Sequence, residues 1–400
     1  MHVCIKKKVT KAQFRNNLMT QLSRFNRQGR DPMAFDFRSL QAAMEINSYT
    51  LNKSGVDAYG QLMQESLERL GLHCERFPRE ALGDHLYFTS PVVQGQPRLL
   101  LLGHLDTVFP PGTFEGFSED DTWIYGPGAC DMKGGNAIAV QALAAVQAQA
   151  GGLANIDVLL VSDEEKGSDD SRPLTRQLAT AYSYCMDFEA AGLNHEVVIG
   201  RKGIGTFTID CTGKAAHAGN HYADGHNANL AAARIIEALI GLTDLKQGTT
   251  VNPGKMKGGI GANTISPSAS IQLELRFTQI EERDRVLAAL DDIVAHTWVP
   301  GVTQTLSGNL QREVMAPTEA QQAWLETLNQ LLGITLPTES RGGVSDANEM
   351  AHMGVTTLDG WGPFGDGDHS VNERALKSSF ERRLEEVTKV LASFNAYALV

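Results

Sequence analysis

Leu99-Leu-Leu-Leu-Gly-His104-Leu-Asp106 and Ile156-Asp-Val-Leu-Leu-Val161-Ser-Asp163-Glu164-Glu165 are two short apolar runs that each end in metal-binding side chains. Continuous apolar runs of this length mark strands buried on both faces of a largely parallel sheet. Between them lies Tyr125-Gly-Pro-Gly-Ala-Cys-Asp131-Met-Lys-Gly-Gly135, a loop that presents one carboxylate and then opens a helix over 137–150, stopped by Gly151-Gly152. Imidazole and carboxylates gathered at one end of a sheet suit a borderline divalent cation such as zinc.

Outward from these runs, helices alternate with buried strands. The apolar spacing predicts helix over 35–71, strands at 86–88 and 99–102, helix over 173–181 and a strand at 184–188 leading to Glu189. That alternation predicts an α/β domain with a mostly parallel central sheet. After Gly200 the pattern changes. Residues 205–211 alternate, 227–242 read as a helix, 256–265 and 270–277 as paired strands, 281–296 as a helix and 303–306 as a strand. The order β-α-β-β-α-β is the ferredoxin-like α+β arrangement. The α/β style then resumes with a helix at 319–332, a strand at 355–358 and a closing helix at 380–399. A small domain over 201–313, inserted into a larger one formed by 33–200 and 314–400, is the expected architecture, with 1–32 as a basic extension.

Composition narrows the function classes. A chain of 400 residues exceeds one typical core, so two domains are expected. No apolar run approaches the ~20 residues of a membrane span. The net charge of −12 argues against general nucleic-acid binding, and an anionic substrate would need a local cluster of Arg or Lys. The five cysteines, Cys4, Cys74, Cys130, Cys185 and Cys211, are odd in number and form no Cys-x-x-Cys pair. Neither a disulfide framework nor a thiolate zinc site is indicated, which points to a reducing cytoplasm. The extension carries Lys6, Lys7, Lys8, Lys11, Arg15, Arg24, Arg27 and Arg30 with no acid before Asp31, and Val9, Phe14, Leu18, Leu22 and Phe25 share a helical face. It reads either as a surface-binding or targeting helix or as a dispensable extension with Met33 as an alternative start.

Taken singly, the polar residues stay open to bland readings. His104 and Asp106 flank one residue at a strand end and emerge on the same side, so Asp106 can orient a metal-binding His104. Asp131 lies just before a helix, where it could equally be an N-cap. Glu164 and Glu165 point different ways, so one can bind metal while the other reaches the attacking water; an exposed acidic turn is the alternative. Glu189 ends a strand, and His369 lies in Gly365-Asp-Gly-Asp-His369-Ser370. Together His104, Asp131, Glu165, Glu189 and His369 supply five ligands, and with Asp131 bridging they make a site for two metals. Such a pair binds a scissile carbonyl and lowers the pKa of a shared water.

On these motifs the chain resembles the co-catalytic zinc exopeptidases and amidohydrolases, a family that includes bacterial glutamate carboxypeptidase, acetylornithine deacetylase, succinyl-diaminopimelate desuccinylase and the aminoacylases. Gly103-His104-Leu105-Asp106-Thr107-Val108 is similar to the first metal motif, and Tyr125 to Gly135 to the bridging-aspartate motif. Ser162 to Ser168 and Asp187-Phe188-Glu189 resemble the glutamate carboxypeptidase branch most. The resemblance runs from Phe35 to the C-terminus.

The resemblance implies a hydrolase of an amide bond adjacent to a free carboxylate, with two Zn2+ (Co2+ or Mn2+ as substitutes). It implies that Glu164 is the general acid/base and that Asp106 holds His104. His217, in Gly213-Lys-Ala-Ala-His217-Ala-Gly, is then the lid histidine that steadies the oxyanion in the neighbouring subunit of a homodimer. From the residues alone it is a loop histidine. Arg276 and Asn263 fit positions that grip a substrate carboxylate, and Lys202 adds positive charge; the charged Arg276 and Lys202 have simple solvation as their alternative reading. The inserted domain becomes a lid and dimerisation domain. Arg341, before Gly342-Gly-Val-Ser-Asp346-Ala, is offset by one residue from the carboxypeptidase pattern, and the basic extension has no family counterpart. The substrate is a small acyl-amino acid or peptide. An N-acyl-amino-acid deacylase is the alternative within the family, and a non-catalytic dimeric binding protein the alternative from another class. No Gly-x-Gly-x-x-Gly opens a helix after the first strand and no Gly-x-Ser-x-Gly elbow occurs, which disfavours a dinucleotide oxidoreductase and a serine hydrolase.

Overall fold

The computed structural model describes residues 34–396, so the basic stretch 1–32 lies outside the described residues. The described chain divides into two compact units. One runs up to Ile199 and resumes over Pro317–Ser340 and from Ser345 onward; the other gathers Gly200–Ala316 with Arg341–Val344.

The first unit is built on a six-stranded mixed sheet among the described residues. Its order is His73–Phe77, His85–Thr89, Ile156–Val161, Leu99–His104, Tyr184–Asp187 and Thr356–Leu358. The last four strands run parallel, and the first two join antiparallel. The apolar runs are buried on both faces, as their composition predicts. Leu99, Leu101, Val158 and Leu160 enter one core cluster, while Leu100, Leu102, Leu159 and Val161 enter another across the sheet.

Register then fixes where the polar residues emerge. His104 pairs with Val161, so the Asp163–Glu165 segment begins just past the same strand end. Leu102 pairs with Asp187, which brings Glu189 level with His104. The polar groups therefore gather at the carboxyl ends of parallel strands, the usual position of binding sites in open α/β sheets.

Two local features depart from the sequence reading. The helical stretch predicted over 35–71 is two helices, Phe37–Met44 and Lys53–Glu68. The break follows from Asn52, whose side chain accepts a hydrogen bond from Gly55 N and starts the second helix. The helix after Asp131 starts at Lys133 and ends at Gly151, where a left-handed C-cap closes it.

In the second unit the sheet order is Thr250–Gly258, Ser268–Phe277, Gly203–Thr212 and Thr303–Arg312, antiparallel throughout. Helices Ala228–Ile240 and Ile280–Ala295 share one core with these strands, giving the predicted β-α-β-β-α-β order. The strand predicted over 256–265 lies earlier, at Thr250–Gly258. Pro253 and Gly254 are tolerated there because they sit at a register shift on an edge strand. The strand predicted at 303–306 extends to Arg312.

Close backbone approach puts the helix start beside the strand ends. A Cβ on Gly135 would lie 1.9 Å from the Phe188 carbonyl oxygen, and one on Gly134 would lie 2.2 Å from that of Ala129. Gly135→Ala should therefore destabilise the protein, although alanine gains roughly 1 kcal/mol as a helix former. The obstacle is main chain, so we expect the upper end of the about 1–3 kcal/mol cost of overpacking. A lower urea midpoint is the expected result; an unchanged or higher one would show that the helix start moves freely.

Candidate metal centre

His104 closes its strand with 1% of its surface exposed. Its Nδ1 donates to the main-chain oxygen of Asp106 at 2.9 Å, while the Asp106 carboxylate Oδ1 stands 3.5 Å away. The carbonyl is thus the nearer partner of the ring. This contact turns Nε2 toward Asp131 Oδ1 at 3.1 Å and Glu189 Oε1 at 3.6 Å. Asn136, one turn into the helix after Asp131, donates to the His104 carbonyl oxygen at 2.7 Å.

Asp131 faces both histidines. Its Oδ2 lies 3.4 Å from Nε2 of His369, and the same nitrogen lies 3.1 Å from Glu165 Oε2. His369 occupies the tip of a hairpin between Gly365–Asp366 and Arg374–Leu376, with φ of 60°. Its side chain is 58% exposed, so the cluster opens to solvent on that side. Glu164 and Glu165 form a short 3-10 turn. Glu164 groups with His104 and Glu189, and Glu165 with His104 and Asp131, each with ligand atoms within 4.8 Å of one another.

The structure thus brings together His104, Asp106, Asp131, Glu164, Glu165, Glu189 and His369. Lys202, His217, Asn263 and Arg276 lie in the second unit. There Ala218 N donates to Asn263 O, and the exposed His217 accepts from Gly219 N and Asn220 N through Nδ1. Lys202 Nζ donates to Gly248 O at 2.6 Å. Arg276 pairs with Glu274 at 2.7 Å and donates to Gly342 O at 2.7 Å, so its guanidinium fork is engaged within its own unit.

Electrostatics show what the cluster requires. Burial, then the like charge of Asp131, pushes the Glu165 carboxyl up to about 8. The same two causes raise Glu189 well above the usual carboxylate range. Hydrogen bonds to Asp131 and Glu165 raise His369 to about 11. Burial opposes the charged form of His104, but Asp106, Asp131 and Glu189 outweigh it and raise the ring. Burial likewise works against ionised Asp131, and the two histidines overcome it. Ionised together without cations, these carboxylates repel one another across a buried site. Glu165 Oε1 is also buried without a hydrogen-bond partner. A nitrogen-and-oxygen donor set that needs added positive charge, with one carboxylate spanning two histidines, fits a pair of divalent cations.

Sequence reasoning missed three supports. Thr50, in the break between the first two helices, donates to Asp106 Oδ2 at 2.8 Å. Glu373 accepts from the loop that carries Asp131. Lys133 is buried beneath that loop, donating to the carbonyl oxygens of Ala43 and Ile46, and burial lowers it to about 7. Lys133 was visible in the quoted loop; Thr50 and Glu373 carried no local signal.

Comparison with known proteins gives the family of the chain. The family description Peptidase family M20/M25/M40 matches residues 100–395. The chain is 27% identical to carboxypeptidase G2 of Pseudomonas sp. over 396 residues, covering 96% of this chain and 94% of that one. It is 31% identical to succinyl-diaminopimelate desuccinylase of Acidiphilium cryptum over 324 residues, 73% of this chain and 84% of the relative. The fold is similar to that of aminopeptidase PepT from Bacillus cereus, with a TM-score of 0.77 at 20% identity, covering 95% and 98% of the two chains.

Thr50→Val tests the support beneath His104. The substitution keeps shape but withdraws a hydroxyl from a buried carboxylate, at a cost of about 1.5–3 kcal/mol. Urea denaturation of metal-free protein should show that loss, with Thr50→Ser close to the parent. Equal stability of all three would mean that Asp106 does not depend on the hydroxyl.

Proposed function

The chain belongs to peptidase family M20/M25/M40 and is a metal-dependent hydrolase, and from that premise we propose that it cleaves an amide bond adjacent to a free carboxylate, as a glutamate-carboxypeptidase-like enzyme. The observation that carries this reading is the shared carboxylate. Asp131 directs one oxygen to His104 and the other to His369, with Glu164 beside the His104 half.

In this proposal His104, Asp131 and Glu189 would hold one Zn2+, and Asp131, Glu165 and His369 would hold the other, with Co2+ or Mn2+ as substitutes. When bound, such a pair polarises the scissile carbonyl and acidifies the attacking water. Glu164 would serve as general base toward the attacking water and then as general acid toward the leaving amine. Asp106 and its main-chain carbonyl keep the His104 ring in one tautomer. The second unit acts as lid and dimerisation domain, and His217 from the partner copy of a homodimer donates to the tetrahedral oxyanion. Arg276, Asn263 and Lys202 receive the substrate carboxylate, and for Arg276 this means exchanging its pair with Glu274.

The small acyl-amino acid or peptide is met in the cytoplasm, a setting supported by Cys74, Cys130, Cys185 and Cys211, which are all free among the described residues, the last three of them buried. No helix among the described residues is long and apolar enough to cross a membrane. An N-acyl-amino-acid deacylase is the second reading, supported by the desuccinylase relatives. A binding protein without turnover is disfavoured because the five donors and Glu164 are all present.

The deciding experiment offers a panel of C-terminal-glutamate dipeptides and N-acyl amino acids to zinc-loaded and chelator-treated protein. Metal-dependent release of glutamate is expected. Cleavage confined to other acyl amino acids would favour the deacylase, and no turnover by the metal-replete protein would favour the binding reading. In the active enzyme Glu164→Gln should lower kcat by roughly 10²-fold or more while both metals stay bound. Full activity of that variant would remove Glu164 from its role.

A further inference from the structure

The loop over 126–131 is held from outside by one buried carboxylate. Glu373, 1% exposed, accepts from Gly128 N at 3.0 Å through Oε2 and from Cys130 N and Asp131 N at 3.0 and 3.1 Å through Oε1. Its own carbonyl oxygen accepts from Gly126 N at 3.2 Å. Four contacts from one residue thus cover the loop from its first glycine to Asp131.

The chain delivers Glu373 there by strand pairing. Arg374–Leu376 pairs antiparallel with Trp123–Tyr125, and Arg374 stands opposite Tyr125, so the residue before Arg374 meets the loop that follows Tyr125. Glu373 also lies four residues beyond His369, at the base of the same hairpin. A Cβ on Gly365, at the other base of that hairpin, would lie 2.3 Å from Cys130 Cβ, so a missing side chain lets the two loops touch.

From these contacts we infer that Glu373 is a positioning residue that locks the Asp131 loop to the His369 hairpin and so sets both halves of the metal centre at once. The inference rests on the proposed two-cation site. The chemistry of the group is specific. Three N–H donors converge on it, and a carboxylate has acceptors on both oxygens. An amide in its place would turn its own N–H groups toward one side of that set. Through Asp131, whose two oxygens face different histidines, a displaced loop loosens both cations; a displaced hairpin alone would loosen only the His369 side. Outer hydrogen-bond partners of metal ligands commonly contribute roughly 10–100-fold in affinity.

The test is a chelator-competition titration of the metal-free full chain with Zn2+, repeated with Co2+ and its visible absorption. Parent protein, Glu373→Gln, Glu373→Asp and Asp157→Asn are compared. Asp157 serves as the control because it is an equally buried carboxylate that anchors Ser90 N and Tyr182 at the opposite end of the strand Ile156–Val161. Thermal unfolding of each metal-free variant is recorded in parallel. The expected result is that Glu373→Gln weakens both metal equivalents by roughly 10–100-fold, with an altered Co2+ spectrum, and that Glu373→Asp falls between it and the parent. Asp157→Asn should lose stability and keep its metal affinity. If the parent binds fewer than two cations, the underlying site reading fails. If the parent binds two and Glu373→Gln binds them as tightly or loses only one, or if Asp157→Asn also loses metal affinity and both variants do so in proportion to their lost stability, the positioning role is overturned. Should Glu373→Gln not fold, parent-like affinity in Glu373→Asp overturns it equally.

Discussion

Asp131 holds one oxygen 3.1 Å from the His104 ring and the other 3.4 Å from the His369 ring, and the arrangement of the first unit serves that contact. Five carboxylates, those of Asp106, Asp131, Glu164, Glu165 and Glu189, stand around two imidazoles. Fully ionised, they carry a charge that two divalent cations nearly balance. In a buried setting such a charge is strongly unfavourable without compensation, and burial together with the like charge of Asp131 accordingly raises Glu165 and Glu189. A structural role alone gives no reason to gather these groups, whereas metal-dependent hydrolysis does.

The scaffold meets this demand with main chain as much as with side chains. Parallel register places His104 and Glu189 abreast, and the glycines at 134 and 135 let the helix after Asp131 approach the carbonyls of Ala129 and Phe188. His104 is fixed by a carbonyl on Nδ1 and by Asn136 on its own carbonyl oxygen. Each contact removes a freedom that a ligand would otherwise lose on binding metal. Preorganisation of this kind is what separates a binding site from a set of nearby acids.

What was legible in the sequence follows from range. The strand ends at His104 and Glu165 announce themselves because apolar runs and polar ends are local patterns. The ferredoxin-like order of the second unit was readable for the same reason. The break between Met44 and Lys53 was not, since helical periodicity continues across it and only the cap at Asn52 marks it. Thr50 and Glu373 were invisible for a different reason. Their partners Asp106 and Asp131 lie 56 and 242 residues away, and neither Thr nor Glu has a local pattern that announces such a contact. The edge strand Thr250–Gly258 lies earlier than the predicted 256–265, and its Pro253-Gly254 pair, unfavourable in a central strand, is accepted by a bulge at the sheet edge.

The two halves of the candidate centre are built from different materials. His104 ends a buried strand and Glu189 follows another, so that half is carried by the sheet, and His104 is almost wholly enclosed. Glu165 sits in a 3-10 turn, and His369 sits at an exposed hairpin tip with a left-handed backbone. Segments of that kind open at lower free energy than central strands. By that rule the sheet-borne half is the more firmly held of the two, and the hairpin half the less. Asp131 belongs to both, which is why the loop carrying it is anchored to the helix start on one side and to the hairpin base on the other.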